Sequence, residues 1–292
     1  MRMAAVSDGT RQWIGEVDPQ GQVIKEVNPP EGDNRDPMIR LISSLIDGAT
    51  PDYTGEDLEL DGLQLLSPIR WPSKNVICVG KNYRAHAAEF TGSGYDSSAS
   101  SATDIIPDAP ILFSKAPCCL TGATDDVRVP WDLSSEVDYE AELGVIIGKP
   151  GRHISADNAL DHVWGFTVIN DVTARDLQAR HKQWLLGKSI DTFCPMGPWI
   201  VSKDEVDPAN LELRCWVNEE LRQSANTRDL IFDIPTIIKV ASASMTLETG
   251  DIIATGTPAG VGIGFTPPKF LRREDLVRIS IEGVGEIANR LT

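Results

Sequence analysis

From Lys74 onward, the chain is a series of short apolar segments of strand length, separated by glycine, proline and aspartate turns. We predict strands over residues 76–79, 111–114, 139–147, 165–170, 199–201, 212–217, 251–255 and 276–281. Helical spacing of apolar residues is much rarer here, and it predicts helices over 83–90 and 234–243. Many strands with few helices are typical of a β-rich roll or barrel rather than a doubly wound α/β sheet.

The first seventy residues have the pattern of a smaller α+β unit. An apolar stretch over 13–17 is followed by the turn residues 18–21, which predicts a hairpin. Apolar residues at helical spacing predict a helix over 37–47. Two prolines, Pro68 and Pro72, then mark a linker. We therefore predict a small N-terminal domain over 1–70 and a larger domain over 71–292.

Composition excludes several classes of function. The 292 residues include 43 acidic and 27 basic side chains, and the net charge of −16 repels nucleic-acid phosphates and anionic membranes. No apolar run approaches the roughly 18 residues of a membrane helix, and the N-terminus lacks the apolar stretch of a signal peptide. We expect a cytoplasmic protein with no nucleic-acid partner and no membrane partner. The five cysteines have no CxxC spacing, which argues against a disulfide framework or a thiolate zinc site.

Three acidic residues alternate along the predicted strand 139–147 and just before it. On one continuous strand Asp138, Glu140 and Glu142 share a face. If that face is in solvent, the pattern describes an ordinary strand with one solvent-exposed polar face. If it is enclosed, a cation must lie there, and oxygen ligands without histidine or thiolate select magnesium, manganese or calcium. Asp171 ends the strand 165–170, where it is either a further ligand or a turn or helix-cap residue.

A histidine and a glutamate three residues apart form a second candidate constellation. His86 and Glu89 lie on one face of the helix predicted over 83–90, where the carboxylate could orient the imidazole as a general base. A surface pair without a catalytic role is the alternative. Residues 91–110 follow directly and are rich in serine and small residues, which is typical of a surface insertion or of a lid over a site.

Taken in order, several segments resemble the fumarylacetoacetate hydrolase family. The matching segments, which run from about Val76 to the C-terminal end, are VGKNYRAHAAE, ILFSKAP, SSEVDYEAELGVIIGK, GFTVINDVTARDLQ, GKSIDTFCPMGPWIV and TGTPAGVG. The resemblance implies an α+β, β-rich protein whose catalytic domain over 71–292 is a mixed β-sandwich roll or barrel. It also implies a homodimer, and a flexible lid within residues 91–110.

The resemblance assigns roles to individual residues. It implies Mg²⁺ as the cofactor, with Mn²⁺ or Ca²⁺ as alternatives, held by Glu140, Glu142 and Asp171, while Asp138 matches a position outside the metal site. His86 and Glu89 match a dyad that activates water, and Gln178 matches the side chain that orients that water. Lys188 matches a position that faces the substrate. Positions that contact the substrate match Arg175, Thr257 and Lys81.

These roles imply a reaction on a small keto acid. The primary hypothesis is a Mg²⁺-dependent hydrolase that cleaves a carbon–carbon bond of an acylpyruvate or 2,4-diketo acid, such as a fumarylpyruvate-like substrate, through an enolate stabilised by the metal. The alternative is an oxaloacetate-type decarboxylase or a 2-hydroxymuconate-type isomerase or tautomerase on the same site. A structural protein stabilised by a metal is a third reading, against which the complete set of candidate groups argues.

Overall fold

A computed structural model of the chain describes residues 1–96 and 105–292. The N-terminal strands are β1 (Arg2–Ser7), β2 (Gln12–Val17), β3 (Val23–Asn28), β4 (Asp52–Tyr53), β5 (Leu58–Glu59) and β6 (Gln64–Leu66). Strands β2 and β3 form the predicted hairpin. Helix α1 (Pro37–Ile46) begins after Asp36, whose carboxylate accepts a hydrogen bond from the Met38 N–H at 2.8 Å. This helix confirms the prediction over 37–47 to within one residue.

The rest of the chain is also dominated by strands. They are β7 (Val76–Gly80), β8 (Ile111–Lys115), β9 (Leu120–Thr121), β10 (Val137–Asp138), β11 (Ala141–Ile147), β12 (Val163–Asn170), β13 (Thr173–Ala174), β14 (Cys194–Ser202), β15 (Glu212–Val217), β16 (Glu220–Asn226), β17 (Ile252–Ala254), β18 (Leu276–Ile281) and β19 (Gly285–Arg290). The α-helices are α2 (Arg84–Gly92), α3 (Arg175–His181), α4 (Leu185–Lys188) and α5 (Ile234–Ser244). Short 3₁₀ helices cover Pro117–Cys119, Ala156–His162, Thr227–Asp229 and Gly262–Gly264.

One large sheet organises the molecule. In the described part of the chain it has thirteen strands, with the main order β4-β3-β2-β1-β14-β12-β11-β17-β7-β8. Because β1 pairs with β14, the N-terminal strands extend the sheet formed by the rest of the chain. Two smaller sheets, β10-β13 and β16-β15-β18-β19, complete the described strands. This sheet-rich α+β architecture confirms the predicted fold class, while the domain boundary at residue 70 stays a prediction.

The acidic strand differs from its prediction in one respect that matters for the site. The chain leaves regular pairing between β10 and β11, because the Tyr139 N–H donates to the Asp138 carboxylate at 2.9 Å and the Glu140 N–H donates to the Asn170 side-chain oxygen at 3.1 Å. Side-chain acceptors thus replace the bonds of a strand ladder. The prediction that Asp138, Glu140 and Glu142 share one face of a single strand is therefore wrong for Asp138, which lies on the separate strand β10.

The helices agree with the sequence where they are long. Helices α2 and α5 confirm the predictions over 83–90 and 234–243, whereas α3 and α4 were not predicted. Both are short, and neither begins with a side-chain cap, so neither carries a strong local signal. Helix α2 extends to Gly92, inside the predicted lid, and Tyr95 and Asp96 also belong to the described chain. Residues 97–104 of that predicted lid lie outside the described residues.

Membrane insertion through a helix has no candidate in the described structure. None of the helices within residues 1–96 and 105–292 has both the length and the apolar character that crossing a bilayer requires.

Candidate metal centre and active site

Two neighbouring antiparallel strands bring three carboxylates together. Strands β11 and β12 pair with Ala141 opposite Asn170, so Glu140 and Asp171 lie where the two strands meet the adjoining loops. The Asp171 N–H donates to the Glu140 carbonyl oxygen at 2.9 Å. Oxygens of Glu140, Glu142 and Asp171 lie within 4.8 Å of one another, and all three side chains are buried. Glu140 and Glu142 are therefore enclosed and do not lie on a solvent-exposed strand face, and Asp171 is the third acidic residue of this buried cluster.

Buried cations of the chain contact two of these carboxylates. Lys188, at the end of α4, places Nζ 2.8 Å from Glu140 Oε2 and 2.8 Å from Asp171 Oδ2. Arg175 contacts Glu140 Oε1 at 2.6 Å through Nη2. Lys115, at the end of β8, contacts Asp171 Oδ1 at 2.7 Å. Each oxygen of Glu140 and of Asp171 thus faces a cationic group of the protein.

Glu142 differs from its neighbours because no cationic side chain of the described residues forms an ion pair with it. Its carboxylate accepts a hydrogen bond from the Gly256 N–H at 2.7 Å. Burial and the nearby charges of Asp171 and Glu140 raise the pKa of Glu142 well above its ordinary value. Burial alone would also raise the pKa of Glu140, but the charges of Lys188 and Arg175 outweigh it and lower the pKa to about 2.

This set of donors fits a divalent cation. The three acidic side chains supply hard oxygen ligands, which suit Mg²⁺, Mn²⁺ and Ca²⁺. Two of them carry their own cationic partners, while the third, Glu142, lacks one among the described residues and would gain it from the ion.

Thermal unfolding tests the metal centre. We expect the melting temperature in excess Mg²⁺ or Mn²⁺ to exceed that in EDTA, because an ion that binds only the folded state stabilises it by about 2.7 kcal/mol at 100 times its dissociation constant. A Mn²⁺ titration followed by melting temperature measures the effect. An unchanged midpoint across the titration would contradict the site.

A small cleft opens onto this cluster. Most of the candidate site residues line it, together with an apolar wall that includes three aromatic rings. The predicted residues in its wall are Lys81, His86, Glu140, Glu142, Arg175, Gln178, Lys188 and Thr257, and the apolar wall contributes Val79, Gly80, Phe90, Phe113 and Trp184. Asp171 and Glu89 are not part of the lining. The structure therefore gathers eight of the ten predicted site residues around one small cavity.

His86 lies on α2 at the edge of this cleft and is buried. Its Nδ1 has no hydrogen-bond partner among the residues that the structure describes. Glu89 Oε2 is 3.9 Å from that nitrogen, which is too far for a hydrogen bond. Instead, the two Glu89 carboxylate oxygens accept the Gly260 N–H at 3.1 and 3.0 Å. The pair shares a helix face as predicted, but the carboxylate is directed to the backbone.

The remaining predicted residues each have a protein partner. Lys81 forms an ion pair with Asp96 at 2.9 Å. The Gln178 side-chain oxygen accepts a hydrogen bond from Arg175 Nη1 at 3.1 Å. The Thr257 hydroxyl accepts one from the Gln223 side-chain amide at 2.8 Å. These contacts fix the polar wall of the cleft in place.

Asp138 has a structural position beside the site. Its carboxylate accepts the Gly262 and Ile263 N–H groups at 2.6 and 3.2 Å, and it contacts Arg175 Nε at 3.0 Å. It therefore anchors the far side of the guanidinium that contacts Glu140.

Sequence reasoning assigned no role to Lys115 or to the aromatic wall. Lys115 is fully buried, with Nζ bonded to Asp171 and to the Val172 carbonyl oxygen. A lysine two residues after the apolar run 111–113 could have signalled a buried charge. The wall could not be found in this way, because Phe113 and Trp184 meet from different elements, with ring centroids 4.9 Å apart.

Comparison with known proteins identifies the family to which the chain belongs. The model of the fumarylacetoacetate (FAA) hydrolase C-terminal domain matches residues 75–292. The chain belongs to the fumarylacetoacetate hydrolase family.

Individual relatives are similar over most of their length. Oxaloacetate tautomerase YisK of Bacillus subtilis (strain 168) is 52% identical over 80% of this chain and 74% of its own length. A solved fumarylacetoacetate hydrolase of Exiguobacterium antarcticum matches all of this chain and 99% of its own with a TM-score of 0.84 and 40% identity. Maleylpyruvate hydrolase of Sphingobium sp. SYK-6, solved with manganese(II) and pyruvate, matches the same shares with a TM-score of 0.77 and 36% identity.

Proposed function

We propose that the protein is a tautomerase that interconverts the keto and enol forms of oxaloacetate, with Mg²⁺ or Mn²⁺ at Glu140, Glu142 and Asp171. In this reaction one proton leaves C3 and another joins the C2 oxygen, so no bond between heavy atoms breaks. The 52% identity to an oxaloacetate tautomerase supports the substrate. This similarity favours the tautomerase alternative over hydrolysis, which was the primary hypothesis from the sequence.

The charges around the cleft suit a small dicarboxylate. Lys188, Arg175 and Lys81 all line it, so an anionic substrate meets positive charge locally although the whole chain carries −16. A divalent ion at the three carboxylates would polarise the keto oxygen and stabilise the negative charge of the enolate. The aromatic rings of Phe90, Phe113 and Trp184 form an apolar part of the lining of the same cleft.

His86 is the residue that we expect to move the proton. It is the one histidine that lines the cleft among the described residues, and its side chain is buried. An imidazole is a common general acid–base group, and here it could remove a proton from C3 and return it. The single observation that carries the proposal is this imidazole in a cleft that is also lined by Glu140, Glu142 and two of their neighbouring cations, Arg175 and Lys188.

The position of Glu89 favours tautomerisation over hydrolysis. Hydrolysis needs a nucleophilic water, and the dyad expected to activate it requires Glu89 to hold the imidazole. Here Nδ1 of His86 and Oε2 of Glu89 are 3.9 Å apart, and Glu89 accepts the Gly260 N–H. A tautomerase needs only a base that reaches the substrate. Hydrolysis remains the second candidate, because His86, Glu89 and Gln178 are all present and a maleylpyruvate hydrolase is a relative.

Competing substrates separate the two candidates. With Mn²⁺ present, we expect the protein to accelerate the loss of enol absorbance from fresh enol-oxaloacetate, with no matching release of carbon dioxide. Acetylpyruvate and fumarylpyruvate should be cleaved far more slowly. Cleavage of either acylpyruvate at the rate of oxaloacetate ketonisation would favour hydrolysis, and stoichiometric carbon dioxide would favour decarboxylation.

A histidine variant tests the proton carrier. We expect His86→Asn to lower the tautomerisation rate by about 100-fold or more, since a positioned acid–base group contributes about 10²–10⁴-fold. The Mn²⁺ dissociation constant, measured by calorimetry, should stay unchanged because His86 is not among the three carboxylate ligands. His153→Asn is the matched control, since His153 is exposed and asparagine tolerates its φ of 54°. Full activity in His86→Asn would refute the assignment.

The homodimer, the lid within residues 91–110 and the cytoplasmic location stay predictions.

A further inference from the structure

The ammonium of Lys188 lies between two of the carboxylates that would hold a divalent ion. Its Nζ is 2.8 Å from Glu140 Oε2 and 2.8 Å from Asp171 Oδ2, and the side chain is 2% exposed. Both acids belong to the cluster whose oxygens lie within 4.8 Å of one another. A monovalent cation of the chain therefore already neutralises part of the charge that a metal ion would neutralise.

The other two cations at this cluster are anchored from behind. Arg175 contacts Glu140 Oε1, and its guanidinium is also held by Asp138 and by the Gln178 side-chain oxygen. Each of these contacts fixes the guanidinium plane. Arg175 is consequently a permanent partner of Glu140.

Lys115 is anchored in the same way on the opposite side of the cluster. It contacts Asp171 Oδ1 and the Val172 carbonyl oxygen, is fully buried, and is absent from the cleft lining. Its ammonium is thus held by two protein acceptors and does not border the cleft. Asp171 thus has one oxygen on a fixed cation and the other oxygen on Lys188.

Lys188 lacks such an anchor. Within the described residues, the hydrogen bonds of its ammonium go to Glu140 and Asp171 alone. Its side chain also lines the cleft, with Nζ 5.1 Å from the centre of the Phe113 ring. A lysine has three rotatable donors on a flexible stem, so it can reach either the carboxylates or a ligand in the cleft.

We propose that Lys188 is an exchangeable counter-ion of the carboxylate cluster, which a divalent ion displaces from Glu140 and Asp171 toward the cleft. The displaced ammonium then contacts the anionic substrate, a second step that rests on the proposed function. Metal binding consequently precedes substrate binding, and Lys188 weakens the metal affinity of the protein while it strengthens the affinity for the substrate.

The expected sign is unusual for a residue of an active site. A metal ion that displaces Lys188 must compensate for two charge-assisted hydrogen bonds, each of which contributes appreciably to the metal-free state. Removing the ammonium removes this competition. We therefore expect Lys188→Met to bind Mn²⁺ about tenfold more tightly or more, since hydrogen bonds to charged groups are the stronger class.

Calorimetric titration with Mn²⁺ alone, without substrate, tests the exchange. Lys81→Met is the matched control, because Lys81 is a buried lysine that also lines the cleft, yet its ion pair is with Asp96. Both variants lose one positive charge. We expect the dissociation constant for Mn²⁺ to fall in Lys188→Met and to change by less than about twofold in Lys81→Met.

A second variant protects the test against misfolding. Lys188→Gln keeps a neutral donor near Glu140 and should also bind Mn²⁺ more tightly than the wild type. If either variant folds only with Mn²⁺, a larger increase of its melting temperature by Mn²⁺ reports the same exchange. Equal or weaker Mn²⁺ binding in both variants overturns the proposal, as does an equal gain in Lys81→Met, which would show a general effect of charge.

Oxalate serves as the probe for the second step. In the wild type we expect oxalate to bind only after Mn²⁺, and in Lys188→Met to bind the Mn²⁺-loaded protein at least about tenfold more weakly. Oxalate binding that is equally tight without Mn²⁺ overturns the order. The Mn²⁺ titration involves no turnover, so a failure of the proposed tautomerase activity would leave its result readable.

Discussion

Glu142→Gln should strongly weaken metal binding and at the same time stabilise the metal-free protein. Glu142 is buried, and the structure provides it with a backbone N–H but with no ion pair among the described residues. Its pKa is raised by burial and by the charges of Asp171 and Glu140, so the folded state disfavours its ionised form. A neutral amide of the same shape removes that unfavourable term. We expect Mn²⁺ affinity to fall by about 100-fold or more, since even groups that only orient ligands contribute about 10–100-fold.

The pH dependence gives this prediction its sign. A carboxyl group whose folded pKa is raised destabilises the fold increasingly as the pH rises above its ordinary value of 4.5. In EDTA, the melting temperature of Glu142→Gln should therefore exceed that of the wild type by a margin that widens as the pH rises above about 5. Glutamine at position 140 is the control. Glu140 has a pKa lowered to about 2, so its charge stabilises the fold above pH 4.5, and Glu140→Gln should destabilise the metal-free protein.

Melting curves in EDTA at several pH values, with a Mn²⁺ titration of each variant, measure both effects. Two results would contradict the prediction. One is a Glu142→Gln variant that is less stable than the wild type in EDTA at pH 8. The other is a variant that still gains stability from Mn²⁺ as the wild type does.

Arg175→Met should lower the free energy of unfolding by about 3–5 kcal/mol. The Arg175 side chain is 1% exposed and contacts Glu140 at 2.6 Å and Asp138 at 3.0 Å, so its loss leaves two buried carboxylates short of a cation. Such charges cannot be compensated by water in the folded state. Urea unfolding in EDTA measures the change.

An exposed ion pair of the same length supplies the control. Arg214 contacts Glu212 at 2.6 Å, but the two side chains are 49% and 55% exposed. Arg214→Met should therefore change the free energy of unfolding by less than about 1 kcal/mol. Equal losses in the two arginine variants would mean that burial does not control the contribution of Arg175.

The site combines two demands that oppose each other. Stability alone would favour a neutral residue at position 142, because burial and the charges of Asp171 and Glu140 raise the pKa of Glu142. The surrounding cations reduce the repulsion between the acids without filling every carboxylate oxygen. A cluster that is fully satisfied by its own lysines and arginines would have little affinity for a metal, and in the proposed metal centre Glu142 is the member that would keep this affinity.

The distinction between tautomerase and hydrolase depends on details that local sequence does not contain. His86 and Glu89 have the spacing of a helical pair, and α2 places them on one face as predicted. Whether the Glu89 carboxylate contacts the His86 imidazole depends on Gly260, which lies in a remote loop. The Gly260 N–H donates a hydrogen bond to the Glu89 carboxylate. A competing partner from elsewhere in the chain cannot be read from a spacing of three residues.

Local patterns in this chain predicted the strand-rich class, the hairpin at 18–21, the helices α1, α2 and α5, and the residue types that a divalent cation prefers. These follow from short-range periodicity and turn chemistry, which act within a few residues. The family motifs also identified the candidate site residues. The short helices α3 and α4 escaped, because seven and four residues carry little periodic signal.

Tertiary structure alone decided which acids meet and which are neutralised. The break after Asp138 separates it from Glu140, and the register of β11 with β12 brings Asp171 to the two glutamates. Lys115 and Lys188 lie on elements distant in sequence and form ion pairs with Asp171 and Glu140. Glu142 has no ion pair among the described residues. Burial and long-range pairing set these charges against one another, and both arise only when segments far apart in the chain pack together.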